Sequence, residues 1–281
     1  MNKIPPMRDP RILVFDSGLG GLTVFSQIAK TRAGAALIYA ADDAAFPYGA
    51  LGEDELVARV MSVMERLIAL HRPGLVAIAC STASTLVLGP LRARYPTLPF
   101  VGTVPAIKPA AAASKSRLVS VLATPGTVAR DYTQALVREY AGDCEIALVG
   151  SARLAALAEE FVRGRAIDEA QIAREIAPCF VERQGRRTDF VVLACTHYPL
   201  LQDHFVRLAP WPVTYIDPAP AIARRVDALL TPSIWPTATG VRASAIFTSG
   251  ATPGPSLEEA LRKFGLIATP TEAATFEFSR P

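Results

Sequence analysis

Apolar residues along this chain recur in two periods. Short aliphatic runs at 11–16, 36–40, 75–80, 117–123, 145–149, 189–195 and 243–247 predict strands buried on both faces. Between them the period lengthens to three and four. Leu56, Val60, Val63, Met64 and Leu67 mark a helix over Glu53–His71. Similar stripes run through Val128, Tyr132, Leu136 and Tyr140, through Leu154, Leu157, Ala158 and Phe161, and through Ile172, Ile176 and Phe180. Ile222, Val226 and Leu229 continue the pattern inside a proline-rich stretch, and a capping box at Ser256 and Glu259, with Gly265 as terminator, predicts a final helix. Strands alternating with helices predict an α/β fold with mainly parallel sheets flanked by helices.

The pattern also repeats. Arg11–Asp16 runs into Ser17-Gly18, and Leu118–Ala123 runs into Thr124-Pro125-Gly126, with Thr124 standing 108 residues after Asp16. The run ending at Cys80 has its counterpart 115 residues on, in the run ending at Cys195. Two pseudo-symmetric α/β domains follow, with a cleft between them. Crossovers near Gly102–Pro105 and Trp211-Pro212 divide the chain into a discontinuous first domain, 1–103 plus 213–281, and a second domain, 104–212.

Bulk composition narrows the classes. The chain has 281 residues, is 51% hydrophobic, has a mean hydropathy of +0.28 and carries a net charge of +3. That is enough apolar material for two filled cores. With no block of five like charges, nothing calls for a nucleic-acid or membrane partner. No apolar stretch of about eighteen residues is present, and residues 1–10 lack a secretory apolar region, so a cytoplasmic location is expected. The four cysteines, at 80, 144, 179 and 195, have no regular spacing, which argues for reduced thiols.

Two of these thiols sit where a parallel strand should stop, at the sheet edge where α/β folds bind ligands. A thiolate accepts a proton and a thiol donates one. With Cys80 and Cys195 on opposite walls, a carbon acid between them can lose hydrogen from one face and regain it on the other. Such an exchange inverts a stereocentre and requires no redox cofactor. Cys144 and Cys179 lack that context and are assigned to structure. His197 can charge and assist Cys195, whereas His71 and His204 read as packing or surface residues. A metal site at Cys80, Cys195 and His197 would lack a short-spaced ligand pair, so no metal is expected.

Asp16-Ser17-Gly18-Leu19-Gly20-Gly21 places a carboxylate at a strand end and follows it with a glycine-rich entry into a helix. The spacing is not that of a dinucleotide loop, and the lysine of a phosphate loop is absent. The alternative for Asp16 is a simple helix cap. Ala45–Gly49 forms an aromatic turn, in which Tyr48 and Gly49 could offer backbone amides to a carboxylate.

Taken in order, Phe15–Thr23, Phe46–Gly49, Ala79–Ser84, Val101–Pro105 and Cys195–Leu201 resemble the glutamate racemase family over nearly the whole chain. The resemblance implies a cofactor-independent, two-base interconversion of L- and D-glutamate that supplies D-glutamate for peptidoglycan. It implies that Cys80 deprotonates the D isomer and Cys195 the L isomer, with assistance from Asp16 and His197. Substrate contacts are implied for Asp16, Ser17, Tyr48, Gly49, Ser81, Thr82, Thr127, Thr196 and His197. A supporting helical glutamate falls at Glu159, with Glu160 adjacent. The small-molecule partner implied is glutamate, and a homodimer is compatible with the sequence. Position 81 departs from the family by carrying serine where asparagine is usual, removing an amide donor worth about 0.5–1.5 kcal/mol. Two alternatives remain: a two-thiol racemase for aspartate or a hydantoin, and a silent binding homologue.

Overall fold

The computed structural model describes residues 11–230 and 243–269. Twelve strands occur among them: β1 (Arg11–Asp16), β2 (Ala36–Ala41), β3 (Leu75–Ile78), β4 (Phe100–Gly102), β5 (Leu118–Ala123), β6 (Glu145–Gly150), β7 (Glu182–Arg183), β8 (Arg186–Arg187), β9 (Phe190–Leu193), β10 (Thr214–Ile216), β11 (Ala243–Phe247) and β12 (Ile267–Ala268). They form two main sheets, β12-β11-β2-β1-β3-β4 and β10-β9-β5-β6, plus the β7-β8 pair. Every pairing in the two main sheets is parallel.

Parallel strands need crossovers, and the crossover helices cover both faces of each sheet. In the first sheet Ile12, Val14, Leu37 and Tyr39 face helices Leu22–Thr31, Ala219–Leu230 and Pro255–Lys263. The alternate residues Leu13, Phe15, Ile38 and Ala40 face Glu53–His71 and Ser81–Arg94. The predicted stripe of Glu53–His71 is fully buried, each side chain contributing about 1.5–3 kcal/mol. The second sheet repeats this arrangement, with Leu122, Val191 and Leu193 on one face and Val119, Val121 and Val192 on the other.

Four details differ from the sequence reading. The runs expected to be strand through Cys80 and Cys195 leave the sheet earlier, at Ile78 and Leu193. Ala79 and Ala194 still donate to Phe15 and Leu122 across the ladder, both at 2.8 Å, and only then does the chain turn. The stripe from Val128 to Tyr140 is two helices, Pro125–Ala129 and Asp131–Tyr140, broken at Arg130, which is extended with φ −74° and ψ 139°. Its guanidinium reaches across to the Thr82 carbonyl and the Thr85 hydroxyl, contacts that the break makes available.

The capping box is absent, because Pro255 occupies the first turn and Gly254 is the cap, leaving Ser256 inside the helix without a capping bond. Pro at the first helical position displaces the serine by two residues. Gly265 does follow that helix, with φ +74°. The crossover expected at Trp211-Pro212 comes later, since Thr214–Ile216, read from the sequence as first-domain chain, pairs with β9 in the second sheet. The chain returns through Pro218 into Ala219–Leu230. Residues 231–236 of the proline-rich stretch lie outside the described residues.

Candidate active site

The two main sheets aim their carboxyl ends at one crevice. Its walls are Ser17, Phe46–Gly49 and Cys80–Thr82 from the first domain, and Thr124, Ala155 and Cys195–His197 from the second. The space between these walls is about 290 Å³, part of it open to solvent. Cys80 and Cys195 are only 4% and 6% exposed, and both line it. Each follows its strand by two residues. Cys80 is the N-cap of Ser81–Arg94, so Ser81 and Thr82 occupy the first turn, where amide groups lack helical partners. Cys195 opens the tight turn in which the Tyr198 amide donates to its carbonyl at 3.1 Å.

The two sulfurs have different surroundings. Cys80 Sγ lies 3.7 Å from Ser17 Oγ. Burial, reinforced by the charge of Asp16, pushes its thiol up to about 12 despite the Ala83 amide and Ser17. Cys195 Sγ instead lies 3.9 Å from His197 Nδ1. The other ring nitrogen, Nε2, is 2.9 Å from Glu159 Oε1. Burial alone would favour neutral imidazole, but contact with Cys195 and Glu159, and the charges of Cys195 and Asp16, raise His197 well above its ordinary value. Glu159 shows the opposite balance. Burial pushes it up, yet His197, the Leu19 amide and Arg163 together bring it below the usual carboxylate value. Glu159, rather than its neighbour, is thus the carboxylate on His197; Glu160 pairs with Arg165 at 2.8 Å.

Asp16 is fully buried at the end of β1, where its carboxylate accepts from the Gly21 amide at 3.0 Å, the Gly18 amide at 3.3 Å and the Thr196 hydroxyl at 3.2 Å. Burial raises its pKa against the pull of His197 and these amides. It therefore braces the glycine turn and also reaches the second domain, but it does not cap the helix, whose N-cap Gly21 has no side-chain bond, and it does not itself line the crevice.

The glycines of that turn are there for space. A Cβ on Gly18 would stand 2.3 Å from Glu159 Oε1, and one on Gly20 would stand 2.4 Å from His197 Nδ1 and 2.7 Å from the His197 amide nitrogen. We expect Gly20→Ala to cost about 1–3 kcal/mol through overpacking. Denaturant melts should show that loss together with lower activity, because the methyl group would displace His197.

Three threonines bridge the domains. Thr82 Oγ1 lies 3.3 Å from Thr124 Oγ1, and Thr124 Oγ1 lies 3.0 Å from Thr127 Oγ1. Thr127 is fully buried behind this pair. Thr124, absent from the expected site, lines the crevice itself. Its signal was its place as the counterpart of Asp16, and a threonine three residues before another is also a helix-cap pattern. Ala155 gave no such signal. Phe46 packs on the His197 ring, with centroids 5.4 Å apart. Ser81 Oγ is buried and has no hydrogen-bond partner among the described residues. Cys179 is buried in the second core and Cys144 lies half-buried beside Arg117, so neither reaches the crevice.

Residues 15–226 match the Asp/Glu/Hydantoin racemase family. The chain belongs to this family. It is 57% identical over 221 residues to the glutamate racemase of Brucella anthropi, covering 79% of this chain and 80% of the relative. It is 52% identical over 246 residues to that of Mesorhizobium japonicum, covering 88% and 94%. The crystal structure of Escherichia coli glutamate racemase with L-glutamate and the activator UDP-MurNAc-ala superposes with a TM-score of 0.84 at 36% identity, over 93% of this chain and 97% of that one. As a member of the family, the protein is an amino-acid racemase, an isomerase built from two α/β domains. Among the described residues no helix is long and apolar enough to cross a membrane.

Proposed function

We propose that this racemase interconverts L- and D-glutamate by two opposed proton transfers, and so supplies D-glutamate for peptidoglycan. The observation that carries the reading is the placement of Cys80 and Cys195 on the two walls of a single buried crevice. Cys195 as thiolate takes the Cα proton of the L isomer; Cys80 as thiol delivers its own proton to the opposite face. The product is the D isomer, with the proton and the negative charge exchanged between the sulfurs. The reverse reaction starts from that exchanged state.

The surroundings suit this division of labour. Cys80, held as a thiol, is in the donor form needed when Cys195 is the base. His197 remains a cation beside Cys195 and faces negative charge on that sulfur. The ammonium group of a bound amino acid brings positive charge to the crevice and offsets the burial and the Asp16 charge that hold Cys80 as a thiol. Hydroxyls of Ser17, Ser81, Thr82, Thr124 and Thr196, with the free amides of the Ser81–Arg94 first turn, offer donors to the substrate carboxylates and to charge developing at Cα. The unpartnered Ser81 hydroxyl is one such donor.

The test is circular dichroism of L-glutamate, then D-glutamate, incubated with the enzyme under reducing conditions. Both signals should decay to zero. Persistence of both, with decay of aspartate or a hydantoin, would overturn the assignment of glutamate.

A further inference from the structure

Only one oxygen of Glu159 faces the chemistry. Oε1 accepts from the Leu19 amide and lies 2.9 Å from His197 Nε2. Oε2 turns away and lies 3.2 Å from Arg163 Nη2, one helical turn further along. The backbone fixes this arginine. Its amide donates to the Glu159 carbonyl at 3.0 Å. The next residue, Gly164, is left-handed with φ +74°, and a Cβ there would stand 3.3 Å from Ser256 Cβ in the first domain. The adjacent carboxylate, Glu160, has its own arginine, Arg165. Arg163 and Glu159 are thus paired without competition from that neighbour.

Resting on the two-thiol reading above, we propose that Arg163 is a positioning residue: by occupying Oε2 it keeps Oε1 directed at His197, and through His197 it orders the Cys195 arm of the site. The arginine touches neither thiol and does not line the crevice. Its side chain is 31% exposed, against 7% for Glu159, so it is the solvent-side end of a chain that runs Arg163, Glu159, His197, Cys195. Without the guanidinium, water competes for Oε2 and the carboxylate is free to turn. Loss of the cation also makes Glu159 easier to protonate, and a protonated Glu159 no longer balances the imidazolium. The other groups facing Glu159 are the Leu19 amide and Asp16 at the end of β1, Tyr39 on β2 and His197 after β9. None of them is a second cation on Oε2.

The experiment is the pH profile of kcat/KM for glutamate with wild type, Arg163→Met and Arg163→Lys. For Arg163→Met we expect the acid limb to move up by about half to one pH unit, with kcat reduced about three- to tenfold and KM little changed. Arg163→Lys should restore most of both. In parallel, ¹⁵N imidazole spectra report His197 directly, since the chain has three histidines; with Glu159 no longer held against the ring, its imidazolium signature should be lost at lower pH on alkalinisation in Arg163→Met than in wild type. A profile that superposes on wild type, or a uniform fall at every pH that tracks a lower Tm, would overturn the role. Failure of wild type to racemise glutamate would instead defeat the two-thiol reading, so the two failures are distinguishable.

Discussion

Cys80→Ser and Cys195→Ser each lower racemisation by at least about 10³-fold, because an alcohol replaces a thiol as proton carrier on one face while the other face is left intact. The loss is not symmetrical at the level of exchange. In Cys80→Ser the Cys195 arm survives, so the Cα hydrogen of L-glutamate exchanges with solvent while that of D-glutamate does not. Cys195→Ser reverses the pattern. Proton NMR in heavy water reads both, and the folded variants are secured by melting curves, since serine is close to isosteric with cysteine in these buried positions. Exchange of D-glutamate by Cys80→Ser would reverse the assignment of the two bases. Full racemisation by either variant would end the scheme.

Glu159→Gln produces the second large effect. The substitution keeps an oxygen for the Leu19 amide but leaves the buried imidazolium of His197 without its anion. Removing one partner of a buried ion pair costs about 3 kcal/mol or more, and we expect kcat to fall about 10²-fold as the Cys195 arm loses its charged neighbour. The stability difference from wild type should depend on pH in a definite way. His197 is raised above 6.5, so its contribution is complete below that value and declines as pH rises toward the folded pKa. Glu159 is lowered below 4.5, so its contribution is complete above that value and is lost as pH falls through the folded pKa. The gap between wild type and Glu159→Gln is therefore widest between about pH 4.5 and 6.5 and narrows on either side. Denaturant melts across pH 3 to 10 should follow that shape; a gap independent of pH would mean that the pair is not ionised.

The sequence showed most of the framework because the framework depends on local periodicity. Buried parallel strands read as aliphatic runs, and Glu53–His71 could be delimited to the residue because its stripe is unbroken and its first turn is acidic. The misjudged points depend on distant contacts. Nothing near Arg130 signals a break, since the group that uses it, the Thr82 carbonyl, is 48 residues away. Strand β10 is three residues long and gains its place only by pairing with β9. At the site, cysteine, histidine and aspartate announce themselves by type. Thr124 does not, because a threonine before Pro-Gly is also an ordinary cap. Between Glu159 and Glu160 the choice was a matter of helical phase, which is settled by which carboxylate meets His197 and which meets Arg165.

Glu159 belongs to the second domain, yet one of the groups that hold its inner oxygen is the amide of Leu19 in the first. Asp16 and Thr196 make a similar bond from the other direction. Any separation of the two domains would break both contacts. It would leave Glu159 with His197, both in the second domain, but would take the Leu19 amide from the carboxylate and the charge of Asp16 from the imidazolium. On the two-thiol reading, the charge that supports the Cys195 arm is thus assembled from both domains at once.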